Sequence, residues 1–493
     1  MLTAVVVGAG FSGIAAGIEL KRAGIDDFVI LEKAERVGGT WRENTYPGAA
    51  CDVPSHLYSY SFEPNPRWTR SYGQQDEILA YLERTATKYG LYPHIRFGQH
   101  VDEARFDEVT GTWRVTTAAG QTLEARALLL GNGALHLPQL PDIPGLASFE
   151  GTQFHSARWN HRYDLTGKRV AVIGTGASAI QFVPEIAPRV SELHVFQRTP
   201  PWIVPKADRP IPPREQWMYK HVPAAHWLRR TGQYWLHEAR VIGFAYAPKV
   251  NELAESLVRR YIASQVPDAE LRAAVTPSYR LGCKRVLLSN EWYPTLQRPN
   301  VELVTDAIES VTPRGVRTRD GRERQVDAII CGTGFRVSEY LSSIRITGRR
   351  GIELNNEWKR SLRNYLGITV SGFPNLFLLM GPNTGLGHNS MIFMIEAQAR
   401  YATRAIEAMR ARGLAYLDVR PEAEAAFRAE LSKKMQNTVW MTGCRSWYQT
   451  PDGEVFLWPA ATVDYWFRTR EVALADYECV AHTLAQRNSR TAA

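Results

Sequence analysis

Three clusters of residues in this chain have types and spacings suited to chemistry. The first is Gly8-x-Gly10-x-x-Gly13, with Glu32 nineteen residues beyond its last glycine. Glycines so placed let a backbone approach a pyrophosphate, and the N-terminus of a following helix supplies N–H groups and a favourable dipole. An acid at the end of the next strand accepts hydrogen bonds from ribose hydroxyls. The second cluster is Gly174-x-Gly176-x-x-Ala179, and the same count of nineteen arrives at Arg198, a base. A guanidinium pairs with a 2′-phosphate that a carboxylate would repel, and Thr199 adds a hydroxyl. One site therefore suits an unphosphorylated adenosine ribose and the other a phosphorylated one. Two different dinucleotides in one chain point to FAD and NADPH. The third cluster is Phe149-x-Gly151-x-x-x-His155-x-x-x-Trp159, followed by Asn160. By type alone His155 suits a ligand, a general base or a packed linker histidine. No other His or Cys stands at metal spacing, so no metal site is expected.

These clusters need strands and helices to hold them. Ala4–Val7 reads as a buried strand leading into the first turn, and Ile14–Arg22 as the helix leaving it. Arg169–Ile173 and the run from Ile180 repeat that plan. Each copy goes on to a meander, around Thr110-Gly111 and Ala119-Gly120 in the first and Arg314-Gly315 and Asp320-Gly321 in the second. Each then ends in an apolar strand running into Gly-x-Gly, at Gly131-Asn132-Gly133 and Gly332-Thr333-Gly334. This is a duplicated nucleotide-binding unit. Pro-rich joints at Leu137–Gly145 and Thr199–Pro213 separate the parts, and 214–266 has apolar residues at helical spacing. From Leu376 a strand, a Gly381-Pro382-Asn383-Thr384 turn and a long helix from about Ser390 to Gly413 should complete the first unit.

The expected fold is α/β, with two Rossmann-like dinucleotide-binding domains, the second nested in the first, and a helical insertion. The expected ranges are 1–145 plus 376–493 for FAD, 146–203 plus 284–375 for NADP, and 204–283 for the insertion. Trp217, Trp227 and Trp235 in the insertion offer either a substrate cage or helix packing, with packing the default.

Composition narrows the classes. The 493 residues carry 59 Lys and Arg against 50 Asp and Glu, a balance of +9 with no long basic run. That excludes a nucleic-acid arm and suits anionic ligands. Apolar runs such as Leu376–Met380 are far too short to span a membrane, and Met1–Val7 reads as strand and not as a signal peptide. Cys51, Cys283, Cys331, Cys444 and Cys479 are odd in number, widely spaced and without a C-x-x-C pair. This pattern fits a reducing cytoplasm and argues against both a disulfide scaffold and a dithiol oxidoreductase. A cytoplasmic monomer or loose dimer is expected.

The run Phe149–Trp159 resembles the fingerprint of the class B flavoprotein monooxygenases, and most of all that of the Baeyer–Villiger monooxygenases, in which Pro or Asp usually stands where this chain has Asn160. The resemblance extends through Gly38-Gly39-x-Trp41, Tyr46-Pro47-Gly48, Asp52, Tyr58, Gly282-Cys283-Lys284-Arg285, Arg298-Pro299-Asn300-Val301, Phe335, Gly381-Pro382 and Ser446-Trp447-Tyr448. It implies that Gly39, Thr40 and Trp41 lie along the flavin, with Asp52 and Tyr58 near it and Val101 touching the adenine end through its backbone. It implies that Lys284 and Trp447 hold the NADP adenosine, and that Arg285, anchored by Asp52, is the catalytic arginine. The implied reaction inserts one atom of O2 beside the carbonyl of a small-molecule ketone, through a C4a-peroxyflavin stabilised by Arg285, to give an ester or lactone. The rival within the superfamily is oxygenation of nitrogen or sulfur; a non-catalytic redox sensor is more remote. His155 is expected to position the NADP domain through hydrogen bonds, and Cys51 to be an unreactive wall of the pocket.

Overall fold

Leu2–Val7 is apolar on both faces, as a central parallel strand must be. In the computed structural model, which describes residues 1–339, 341–450 and 452–482, it sits in the middle of the first sheet. Phe28–Leu31 lies parallel to it on one side and Thr122–Leu130 on the other, so that Val7 stands opposite both Leu31 and Leu130. Val101–Asp107 and Thr112–Thr117 extend the sheet as the expected antiparallel meander. The second sheet is wholly parallel, in the order Val301–Val304, Glu192–Phe196, Arg169–Ile173, Ala328–Cys331 and Thr152–His155. Its own meander, Ile308–Thr312, Gly315–Thr318 and Glu323–Gln325, forms a separate antiparallel sheet.

The duplication extends to single hydrogen bonds. Gly8 N–H donates to Leu31 O at 2.8 Å and Gly131 N–H to Val7 O at 2.8 Å. In the second unit Gly174 N–H donates to Phe196 O at 3.0 Å and Gly332 N–H to Ile173 O at 2.9 Å. Gly8 and Gly174 both have φ near +100°, at +94° and +104°. A Cβ on Gly8 would lie 2.7 Å from Gly131 O, and one on Gly174 would lie 2.6 Å from Gly332 O. The first glycine of each turn is thus required by the Gly-x-Gly that ends the same unit.

Two chain crossings join the units side by side: Gln139 N–H donates to Gly334 O at 2.8 Å and Arg336 N–H to Leu137 O at 2.9 Å. The return to the first sheet comes earlier than position 376. Arg345–Thr347 already pairs with Val101–Asp107, and Ile346, Leu354 and Val370 are buried in the same core as Val5 and Leu128. The short strand lacks a long apolar run, so only its partner reveals it. Leu376–Leu378 then pairs with Thr122–Leu130. The helix Met391–Arg412 follows, capped by Ser390 Oγ, which accepts Ile392 N–H, and ended by Gly413 at φ +64°. It packs against the helix Phe11–Arg22 in the largest core. Residues 483–493 of the range expected for the first unit lie outside the described residues.

The insertion is helical, through Pro213–His221, Pro223–Glu238, Asn251–Gln265 and Ala269–Val275. Packing does not account for its tryptophans: Trp217 is 61% exposed, Trp227 63% and Trp235 55%. Helical spacing shows that residues share a face, but not whether that face turns inward. A second finding concerns the cysteines. Cys283 and Cys444 form a disulfide across 161 residues, leaving Cys51, Cys331 and Cys479 free. Wide spacing conceals a contact that only the tertiary fold creates. No helix among the described residues is long and apolar enough to cross a membrane.

Candidate active site

A cavity of about 1430 Å³ runs along both glycine turns, lined by Gly8, Gly10, Glu32, Gly174, Gly176 and Arg198 among others. The first turn opens the helix Phe11–Arg22, whose N-cap Gly10 makes no side-chain cap bond. The N–H groups of its first turn are therefore available to an anion. A Cβ on Gly10 would have as its nearest neighbour Gly39 Cα, at 3.6 Å, and one on Gly176 would meet Gly332 O at 3.9 Å. Neither glycine is demanded by protein packing, so each leaves a seat for something else. Gly13 differs, because a Cβ there would fall 1.8 Å from Gly8 O. Ala179 occupies the matching place in the second unit and is fully buried without such a collision.

Glu32 directly follows the strand Phe28–Leu31, and its carboxylate is buried. It accepts Ala9 N–H at 2.8 Å, Ala34 N–H at 2.9 Å and Arg42 Nη1 at 3.1 Å, which ties the glycine turn to the next loop. That loop brings Gly39 against Gly10 and starts the short helix Thr40–Glu43. Thr40 and Trp41 line the cavity, and Trp41 Nε1–H donates to Tyr58 Oη at 3.1 Å. Burial pushes the Tyr58 phenol well above its ordinary pKa, so it stays a neutral wall. Burial does the same to the Cys51 thiol, with the neighbouring Asp52 carboxylate adding to the effect, which disfavours a thiolate there. Val101 lines the far end, where it starts a strand of the meander.

At the second turn Arg198, Thr199 and Lys284 line the same cavity. Among the described residues neither Arg198 nor Lys284 has a carboxylate partner. The Lys284 ammonium is pushed below its ordinary pKa by burial and then by the charge of Arg198, so two cations crowd one space. Such crowding is unfavourable in a bare protein and favourable around a phosphate. Trp447 also lines the cavity, its ring 4.5 Å from that of Tyr448. The Cys283–Cys444 disulfide ties the segment carrying Lys284 and Arg285 to the loop carrying Trp447, a link that cysteine spacing did not suggest.

Arg285 and Asp52 meet where the two units face each other. Arg285 Nε and Nη2 donate to Asp52 Oδ2 at 2.9 and 2.6 Å, and Nη1 donates to Leu386 O at 3.4 Å. Those bonds use three of the five guanidinium N–H groups, and both side chains line the cavity. Burial alone would weaken the guanidinium's hold on its proton, but the Asp52 carboxylate and the Tyr448 phenol outweigh it and raise the Arg285 pKa. The result is a fixed cation with donors to spare.

The fingerprint run lies beside this site and builds the seam. Thr152–His155 is the edge strand of the second sheet, with His155 opposite Cys331. A Cβ on Gly151 would come within 2.5 Å of the Phe149 ring and 2.6 Å of Asp327 O. The Trp159 ring packs 5.2 Å from Phe154 and 5.3 Å from Phe182. Phe182 belongs to the helix Ala179–Ile186, whose Gln181 accepts Tyr46 Oη–H at 2.9 Å and donates to Ala50 O at 2.9 Å. Gln181, which sequence spacing did not single out, thus joins the second unit to the Tyr46–Asp52 segment. The backbone of Gly334, at the crossing between the two units, lies against the His155 ring and favours its charged form. The ring's Nδ1 accepts Ala157 N–H in its own turn, and its edge meets Phe335 at 5.8 Å. Burial lowers its pKa more than the Gly334 contact raises it, which favours the neutral ring. Asn160 Oδ1 accepts Arg162 N–H at 3.1 Å, a turn contact that an Asp could also make, which explains why the neutral residue is tolerated.

Residues 5–216 match the family model described as pyridine nucleotide-disulphide oxidoreductase. That span holds both glycine turns and excludes the Cys283–Cys444 pair, so the match is one of nucleotide-binding architecture. A Baeyer–Villiger monooxygenase of Pseudomonas aeruginosa is 46% identical over 97% of this chain and 92% of its own length. Two solved structures share the fold over 97% of this chain and 99% of theirs. One is cyclohexanone monooxygenase in a closed form, at TM-score 0.88 and 30% identity. The other is OTEMO in complex with FAD and NADP, at TM-score 0.89 and 28% identity. An identity of that size over nearly the full length, on a shared fold, places this chain in the family of the Baeyer–Villiger monooxygenases.

Proposed function

We propose that this chain converts ketones to esters or lactones with FAD in the first glycine turn, NADPH in the second, and Arg285 at the reacting oxygen. The balance is ketone, O2, NADPH and one proton to ester, NADP⁺ and water. The observation that carries this reading is the Asp52-anchored Arg285 cation in one cavity with two differently charged nucleotide cradles. The residues fit the cofactors: Gly10 and Gly176 leave open backbone that a pyrophosphate would approach, and among the described residues Arg198 and Lys284 have no carboxylate partner.

Bound FAD, reduced by NADPH, supplies the activated oxygen. The protein's own residues do the rest. Asp52 takes two N–H groups of Arg285 on one oxygen and so fixes the plane of the guanidinium. The remaining donors face negative charge as it grows on the substrate's carbonyl oxygen, where a preorganised cation is worth most. Trp41 and Tyr58, joined to each other and free of exchangeable charge, hold back water that would divert the oxygen to hydrogen peroxide. Ester formation from a panel of linear, cyclic and aryl ketones, measured with NADPH consumption, tests this reading. Sulfoxide from a thioether without ester from any ketone would overturn it.

Coenzyme choice gives a separate expectation. NADPH should outperform NADH through KM, and Arg198→Ala should narrow that gap by about 1–3 kcal/mol, the scale of a charge-assisted pair. The check is kcat/KM for both coenzymes in both proteins. Equal use of NADH by the unaltered enzyme would show that Arg198 selects nothing.

A further inference from the structure

The helix Pro223–Glu238 is inside out. His226, Gln233 and His237 are buried, and Arg230 is half-buried between them on the same face. This inner row is tied to the first unit through polar groups: His226 Nε2 lies 3.0 Å from His56 Nδ1, and Arg230 Nη1 donates to His56 O at 2.7 Å. The outward side carries Trp227, Leu228, Trp235 and Leu236, at 63%, 62%, 55% and 66% exposure. At 3.6 residues per turn, Trp227, Leu228 and Trp235 share one sector of roughly 100°. The preceding helix Pro213–His221 packs against this one and exposes Trp217 as well. Further along the insertion Tyr246, Val250, Leu253 and Leu257 are all exposed, in steps of four, three and four residues. An ordinary surface helix turns its apolar stripe to the core; here the reverse arrangement leaves large apolar side chains in water.

The exposed charges around the helix pair are mostly basic, and Glu252 and Glu255, the acids beside Leu253 and Leu257, are both paired with Arg280. Arg209 pairs with Glu215, and Arg214 and Arg229 also act on that single carboxylate. Lys220 and Lys249 are exposed. The other acid of the helix pair, Glu238, is buried and holds Asn389 and Thr462. Tryptophan and leucine between lysines and arginines is the composition of a helix lying in the interface of an anionic bilayer. A two-fold contact between copies through the same face would set Arg214, Lys220 and Arg229 against their own equivalents.

We propose that the outward face of this insertion, centred on Trp227, Leu228 and Trp235, docks the enzyme peripherally on an anionic phospholipid surface. No spanning segment is needed, since the helix lies on the membrane. The last turn of the helix reaches the cavity, because the Asn389 that Glu238 holds is part of its lining. Docking and substrate cavity therefore share an element.

The test is flotation of the purified, flavin-loaded full chain with vesicles of phosphatidylcholine alone and with added phosphatidylglycerol. The unaltered protein should float with the anionic vesicles and be released by salt. The triple variant Trp227→Ser, Leu228→Ser, Trp235→Ser and the charge variant Lys220→Glu, Arg229→Glu should each bind at least about tenfold more weakly. Turnover of a water-soluble ketone, unchanged in both variants, shows that they are folded. Equal flotation of the unaltered and triple-variant proteins overturns the proposal, as does failure of the unaltered protein to float. Equal binding to both vesicle types overturns the anionic assignment. A dimer in sedimentation that the triple variant dissolves, with no flotation, assigns the face to a second copy of this chain instead.

Discussion

Arg285→Ala should leave NADPH able to bleach the bound flavin while ester formation falls by at least 10²–10³, about 3–4 kcal/mol, the effect of removing one preorganised donor at a developing oxyanion. Reduction depends on how the two cofactors are held, and the cations that suit the phosphorylated one, Arg198 and Lys284, are untouched by the change. Oxygen transfer is different. Arg285 offers its spare N–H groups in a fixed plane because Asp52 Oδ2 accepts two others. The reducing equivalents that no longer reach product should appear as hydrogen peroxide. Arg285→Lys should recover only part of the loss, since an ammonium keeps the charge but cannot serve a carboxylate and a substrate oxygen from one rigid fork. Stopped-flow reduction set beside ester yield per NADPH decides the matter. A parallel fall in both rates would make Arg285 a nicotinamide-positioning residue, and no fall in either would mean that another group meets the oxygen.

The pieces of this site differ in how far they can be read from the chain, and the difference follows distance along it. Both glycine turns, Glu32 and Arg198 are legible because strand, turn, helix and next strand lie within some thirty residues, so spacing alone fixes their geometry. Arg285 and Asp52 lie 233 residues apart, and nothing local joins them; only the resemblance to a family brought them together in advance. The Cys283–Cys444 bond shows the same limit without a motif to help. Arg345–Thr347 was missed for another reason: a three-residue strand has no periodicity of its own and exists through its partner Val101–Asp107. The insertion tryptophans show what a helical period omits. It groups Trp227 with Trp235 but does not say which side of the helix is buried, and here His226, Gln233 and His237 take the inside.

The two glycines of the first turn should fail in different ways when each becomes alanine. Gly10→Ala adds a methyl group that clears the protein, its nearest neighbour being Gly39 Cα at 3.6 Å. The fold should persist, with the apoprotein's Tm unchanged, while the methyl stands where the backbone must approach a pyrophosphate. FAD affinity should then fall at least tenfold to a hundredfold, about 1.4–2.8 kcal/mol. Gly13→Ala places its methyl 1.8 Å from Gly8 O, a backbone atom that cannot swing aside. Either the helix Phe11–Arg22 moves off the sheet or the turn opens. Because that helix packs on Met391–Arg412 in the main core, the displacement spreads. Overpacking of this kind costs about 1–3 kcal/mol and occasionally more, and backbone against backbone belongs at the upper end. The second unit supplies the control. Ala179 already fills the equivalent place, so Ala179→Gly should only remove a buried methyl group, at roughly 1 kcal/mol, and leave flavin content unchanged. The measurements are the ratio of flavin to protein absorbance after purification and the Tm of each apoprotein. Full flavin content in Gly10→Ala would show that no ligand approaches that backbone. A native apoprotein Tm in Gly13→Ala would show that the helix and strand can part without loss, which the close packing of this turn does not allow.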